Sequence, residues 1–117
     1  MIEGAMKRTD LLQGTLDLLV LKTLSAEPMH GYGIAARIHQ LSDEVLRVEE
    51  GSLYPALYRL EQRRLITSQW KTTVNKKEAK FYSLTRQGRR EMQAEAESWA
   101  RLSTAVGRLL AAVEQGA

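Results

Sequence analysis

Ser52, Tyr54, Pro55, Tyr58, Arg59, Gln62 and Arg63 stand within one stretch, EGSLYPALYRLEQRRLI, from Glu50 to Ile66. Leu53, Leu57 and Leu60 recur there at i, i+4 and i+7, so the stretch reads as a helix with one apolar face. The other side chains point away from that face and carry hydroxyls, an amide and guanidinium groups, which bind oxyanions and the polar edges of flat rings. The chemistry on offer is recognition of something anionic. Catalysis would need a nucleophile with its base, paired carboxylates or a metal cluster, and none of these patterns occurs. The chain has no cysteine and two histidines. His30 and His39 lie nine residues apart, away from the i, i+4 spacing of a helical metal pair, and read as helix-end or surface residues. Asp43, Glu44, Glu49 and Glu50 read as an acidic link ahead of a helix N-terminus, where negative charge is favourable. No cofactor, no metal site and no enzymatic activity are expected.

Charge is unevenly distributed along the 117 residues. Residues 50–90 hold ten Lys or Arg against three Glu, a net +7, and the remainder holds seven against eleven, a net −4. A basic middle third under a modest total of +3 is the footprint of a nucleic-acid face, although an anionic membrane or an acidic protein also fits it. No apolar run reaches 18 residues and no secretory signal is present, so a cytoplasmic protein without membrane insertion is expected.

The elements that must position the basic stretch follow from periodicity. The first five residues, MIEGA, precede a second methionine, Met6, and residues 1–8 are set aside as a disordered or cloning-derived leader. From Asp10 to about Ser25, Leu12, Leu16, Leu19, Val20 and Leu24 share a face, giving a buried first helix that Pro28 ends. Ile34, Ile38 and Leu41 predict a second helix over Gly31 to Leu41. Its paired Gly31 and Gly33 suggest close packing, or approach of the backbone to a phosphate. The basic stretch is the third helix, with Pro55 tolerated in the first turn.

Beyond Leu65 the pattern alternates. ITSQWK and AKFYSLT read as two strands joined by TTVNKKE, with Asn75 suited to the turn and Lys76 and Lys77 at the tip. Trp70, on the first strand, is assigned to packing. Thr85 is the expected N-cap of a last helix running to Gln115. On it Met92, Ala96, Trp99, Leu102, Val106, Leu109 and Val113 step by 4, 3, 3, 4, 3 and 4, an average of 3.5, which is the period of a coiled-coil seam. So long a seam has little of its own chain to pack on and predicts a second copy.

Three helices and a basic hairpin, in that order, describe a winged helix-turn-helix, whose third helix enters the DNA major groove. The fold expected is mainly α with a small β-hairpin. Residues 9–84 form the DNA-binding domain and residues 85–117 a dimerisation helix. Ser52, Tyr58, Arg59 and Arg63 suit phosphates, Arg59 and Arg63 also guanine edges, and Gln62 an adenine edge. Arg64 is left out because the helical wheel places it near Leu53 and Leu57. Lys71, Lys76, Lys77 and Lys80 suit phosphate contacts from the wing. The alternative is a winged helix that binds a protein and not DNA, for which a neutral or acidic third helix and wing would be expected.

The blocks GTLDLLVLKTL, HGYGIAARI, EGSLYPALYRLE and KFYSLTRQGR, at residues 14–24, 30–38, 50–61 and 80–89, resemble the PadR-like transcriptional regulators in the same order, over about three quarters of the chain. The single C-terminal helix resembles the compact subgroup of that family. The resemblance implies a homodimeric repressor on a pseudo-palindromic operator of double-stranded DNA, released by a ligand or a change of signal. It places Ser52, Tyr54, Pro55 and Tyr58 in the recognition helix and Tyr82 and Thr85 at the junction of wing and last helix. Tyr54 either contacts DNA or packs against the first helix. Trp99 either packs in the dimer seam or also stacks a small, flat aromatic effector there.

Overall fold

A computed structural model describes residues 13–116, so the readings for residues 1–8 and for the start of the first helix at Asp10 lie outside the described residues. Helix α1 (Gln13–Leu24) is followed by a two-residue strand β1 (Met29–His30), helix α2 (Gly31–Leu41) and helix α3 (Glu50–Gln62). The hairpin strands β2 (Ile66–Thr72) and β3 (Glu78–Leu84) then lead into helix α4 (Arg86–Glu114). The core gathers Leu16, Val20, Leu21 and Leu24 of α1, Ile34 and Ile38 of α2, and Leu53, Ala56, Leu57 and Leu60 of α3. Leu65, Ile66, Tyr82 and Met92 close it from the hairpin and the base of α4. The periodicity therefore selects most of the buried face of each short helix, though Leu19 is only half-buried and Ala56 is an addition to the stripe of α3. Leu21 is fully buried although it lay off the expected stripe, because α1 is enclosed on more than one side. Leu41 is 67% exposed, since α2 ends there and the chain turns away before anything covers it.

That turn is unusual in its backbone. Asp43 and Glu44 both adopt positive φ, 53° and 66°, a left-handed conformation that costs non-glycine residues about 1–2 kcal/mol each. The Glu44 amide donates to the His39 carbonyl at 2.7 Å, and the Leu46 amide donates to Ser42 Oγ at 3.0 Å. These bonds hold the link that delivers the chain to α3.

The sheet has three strands in the order β1-β3-β2, antiparallel throughout. The hairpin is as expected, but β1 is an addition: Met29 pairs with Tyr82 and His30 with Phe81. Two residues are too few for an alternating pattern to be visible in sequence. His30 then caps α2, its Nδ1 accepting from the Gly33 amide at 3.0 Å. Gly31 lets Tyr54 pack closely: a Cβ there would stand 2.7 Å from the Tyr54 hydroxyl oxygen and would displace that ring.

At the far end of the wing, Thr85 caps α4 as its sequence position predicts. Its Oγ1 accepts from the Gly88 amide at 2.9 Å, and its own amide donates to the Leu65 carbonyl at 3.0 Å. A Cβ at Gly88 would overlap that same carbonyl, so the base of α4 lies directly on the chain leaving α3.

Candidate nucleic-acid interface

Helix α3 begins at Glu50, with Glu49 as N-cap, so Pro55 is its sixth residue and not part of the first turn. Proline denies the carbonyl four residues back, that of Gly51, its helical donor. Gly51 is exposed, so that carbonyl is open to water. The outward stripe of α3 consists of Tyr54, Pro55, Tyr58 and Gln62, all exposed, with Ser52 half-buried at its edge. Tyr58 is 66% exposed. Tyr54 packs on Gly31 at the start of α2.

The arginines of α3 do not belong to this stripe. Arg59, read from sequence as a phosphate and guanine contact, turns back toward α1. Its Nη2 donates to Asp17 Oδ1 at 3.0 Å. Asp17 is largely buried, and burial pushes its carboxyl above the ordinary value, against the opposing pull of the Arg59 and then the Arg63 guanidinium. Arg63, one turn on, faces α4 and reaches Glu91 at 3.4 Å across an exposed surface, where an ion pair contributes about 0–1 kcal/mol. Arg64 lies beyond the end of the helix at φ 63° and is exposed. It therefore does not face the core, contrary to the helical-wheel expectation on which it was left out. Residues at i and i+4, Arg59 and Arg63, thus tie α3 to its neighbours and leave the outward face neutral, built of phenols, proline and one amide.

Positive charge comes instead from the wing. Val74 and Asn75 turn the hairpin, as expected of Asn75, and Lys76 takes the left-handed position at φ 62°. The Thr73 amide donates to the Lys77 carbonyl at 2.7 Å and closes the loop. Lys76 and Lys77 are exposed at the tip without an ion pair among the described residues. Lys80 is partly committed: it lies 4.0 Å from Glu61 of α3 and over the Tyr82 ring. Glu61 also accepts from Ser68 Oγ at 2.6 Å, so one carboxylate joins α3 to both strands. Lys71 sits on the opposite face of the sheet, over the Phe81 ring. Burial raises the Tyr82 hydroxyl above its ordinary pKa, with Glu61 adding to the effect, so it stays a neutral phenol.

Trp70 is not a packing residue. It is 64% exposed on the face of β2 that overhangs α2 and α3. With Tyr32, 77% exposed at the start of α2, it is a surface residue that the sequence reading passed over. A tryptophan in a strand otherwise polar beyond Ile66 was the available signal.

On α4 the expected seam divides. Met92 is buried in the core of its own domain and drops out of the interface set, because the first two turns of α4 lie against α1 and the α3–β2 junction. Ala96, Trp99, Leu102, Val106, Leu109 and Val113 are all exposed, with Leu110 beside them. The helix runs through Gly107 without a break. Trp99 borders a groove of about 250 Å³ between α1 and α4, lined also by Leu18 and Leu102. Among the described residues no helix is long and apolar enough to cross a membrane.

Three helices, a three-stranded sheet with an exposed basic turn and a long final helix define a winged-helix protein of the DNA-binding class. Residues 20–94 match the Transcriptional regulator PadR-like family, and the chain belongs to that family. Its members are transcriptional regulators and not enzymes. A PadR-like transcriptional regulator from Bacillus cereus is similar at 30% identity and a TM-score of 0.73, over 86% of this chain and 95% of that one. A PadR family transcriptional regulator from Eggerthella lenta is 36% identical with a TM-score of 0.69, over 84% and 83% of the two chains. A 37.1 kDa protein in transposon TN4556 of Streptomyces fradiae is 42% identical over 86 residues, which span 74% of this chain and 23% of that protein.

Proposed function

We propose that the chain is a homodimeric transcriptional repressor, acting in the cytoplasm, that binds a pseudo-palindromic operator with one winged domain per half-site. The observation that carries this reading is the pairing of an exposed, uncharged stripe on α3 with unpaired lysines at the wing tip. In this reading the exposed Tyr54, Tyr58 and Gln62 meet base edges, with Pro55 and Ser52 beside them, while Lys76 and Lys77 meet phosphates and Lys71 and Lys80 add to the field. The apolar stripe from Ala96 to Val113 supports a second copy, and two-fold symmetry would set half-sites about 34–36 Å apart. Trp99 and its groove offer a small aromatic effector a place next to that seam, from which it would alter the spacing of the two reading helices.

Footprinting and gel shifts on the DNA upstream of the chain's own gene test the proposal. Protection should fall in two halves about one helical turn apart, and affinity should drop steeply with salt as phosphate contacts release counterions. Failure to bind that duplex or a heparin column at moderate salt would favour a winged helix that binds protein.

A further inference from the structure

Between the wing and the start of α2 runs an open trough of about 840 Å³. His30 and Tyr32 form one wall, Tyr54 reaches it from α3, and Trp70, Lys77 and Lys80 line the wing side. The register explains the aromatic wall: Trp70 pairs with Lys80 and Ser68 with Tyr82, so these four residues share one face of the hairpin. Close to the core that face is covered by α3, but the strands outrun the helices, and Trp70 is left overhanging. Tyr32 also lines the trough, its ring 6.3 Å from that of His30, which packs edge-on against Phe81. Exposed rings lining one open groove with lysine at its rim suit a nucleic-acid strand, which offers flat bases and apolar sugar edges flanked by phosphate.

We infer that this trough holds one DNA strand flanking the α3 contact, with Trp70 and Tyr32 packed on its sugar and base edges and Lys77 on a phosphate. The inference rests on the DNA-binding reading above and adds two contact residues from outside the recognition helix. Their contribution is apolar. It therefore differs from that of the lysines in a measurable way: removing a phosphate contact flattens the dependence of log K on log salt by about 0.9, whereas removing a ring contact lowers affinity equally at every salt concentration.

The experiment measures binding of the full chain to the duplex upstream of its gene and to a random-sequence duplex of equal length, across a salt series. Trp70→Ala and Tyr32→Ala should each weaken binding about tenfold or more with an unchanged salt slope, while Trp70→Phe retains most of the affinity. Lys77→Ala should flatten the slope. Tryptophan emission should be quenched by DNA in the wild type and much less in Trp70→Phe. Both rings are exposed, so thermal melting should be unaltered in all these variants. Unchanged affinity in Trp70→Ala and Tyr32→Ala, with Tyr58→Ala impaired, overturns the inference and leaves the DNA reading in place. No binding of either duplex by the wild type overturns both. Quenching of Trp70 by benzoate with none by either duplex assigns the trough to a small aromatic acid and also overturns the inference.

Discussion

Asp17 is held between two opposing effects, burial that favours its proton and a guanidinium 3.0 Å away that favours its charge. Burial is the larger, so the folded carboxyl titrates above its ordinary 3.8. The folded state then keeps the proton to higher pH than the unfolded chain does. The stability from this group is complete below about 3.8 and is lost as pH rises through the raised folded value. Urea unfolding of the wild type and Asp17→Asn from acid to neutral pH should show the wild type losing ground to the variant as pH rises; the opposite trend would mean that attraction to Arg59 outweighs burial. The pair consequently orients α3 more than it stabilises the fold. Arg59→Ala should lower stability by about 1–3 kcal/mol, because it strands a buried carboxylate, and should leave base preference intact. Tyr58→Ala should do the reverse, leaving the unfolding midpoint nearly unmoved while relaxing preference at one base position by about 1–3 kcal/mol. Denaturation and gel shifts with altered half-sites separate the two.

Among the elements, the wing and its junction with α4 carry the local strain and the tightest packing. Lys76 occupies a left-handed position that glycine fills without penalty. Lys76→Gly should stabilise the hairpin by up to about 1 kcal/mol in urea unfolding, the gain being limited by the greater freedom of glycine in the unfolded chain. If Lys76 touches a phosphate, the same variant should flatten the salt slope by about 0.9, so stability and affinity would move in opposite directions. Gly88 permits the reverse test. Alanine there forces a Cβ into the Leu65 carbonyl and should cost about 1–3 kcal/mol of stability, read by thermal melting, by prising the base of α4 off the α3–β2 junction.

The whole molecule is far from spherical. Its Cα radius of gyration is 16.5 Å and its longest dimension 59 Å, whereas a compact chain of this size would have a radius near 13 Å. The excess is α4, whose 29 residues extend beyond the winged domain with an apolar stripe uncovered. Large apolar stripes left in water mark association surfaces. Val106→Glu and Leu109→Glu should each shift sedimentation toward the monomer without changing the melting of the winged domain, since neither residue touches its core. Their affinity for a duplex with two half-sites should fall much further than for a single half-site, because the second binding event is no longer intramolecular.

The sequence by itself determined the order of the four helices and the hairpin, the Thr85 cap and most of the core, because 3.6-residue and two-residue periods, Thr85 as a cap and Pro28 as a break are properties of neighbouring residues. It also located the basic wing and the apolar stripe of α4. Tertiary structure alone decided which polar residues face outward. A helical wheel shows that Arg59 and Arg63 lie off the leucine stripe, but not that Asp17 on α1 and Glu91 on α4 stand ready to take them. Nor could it show that the hairpin outruns the helices and leaves Trp70 uncovered, or that Met92 belongs to the domain and not to the seam. Each of these depends on partners distant along the chain, where burial and pairing are set by packing and not by spacing.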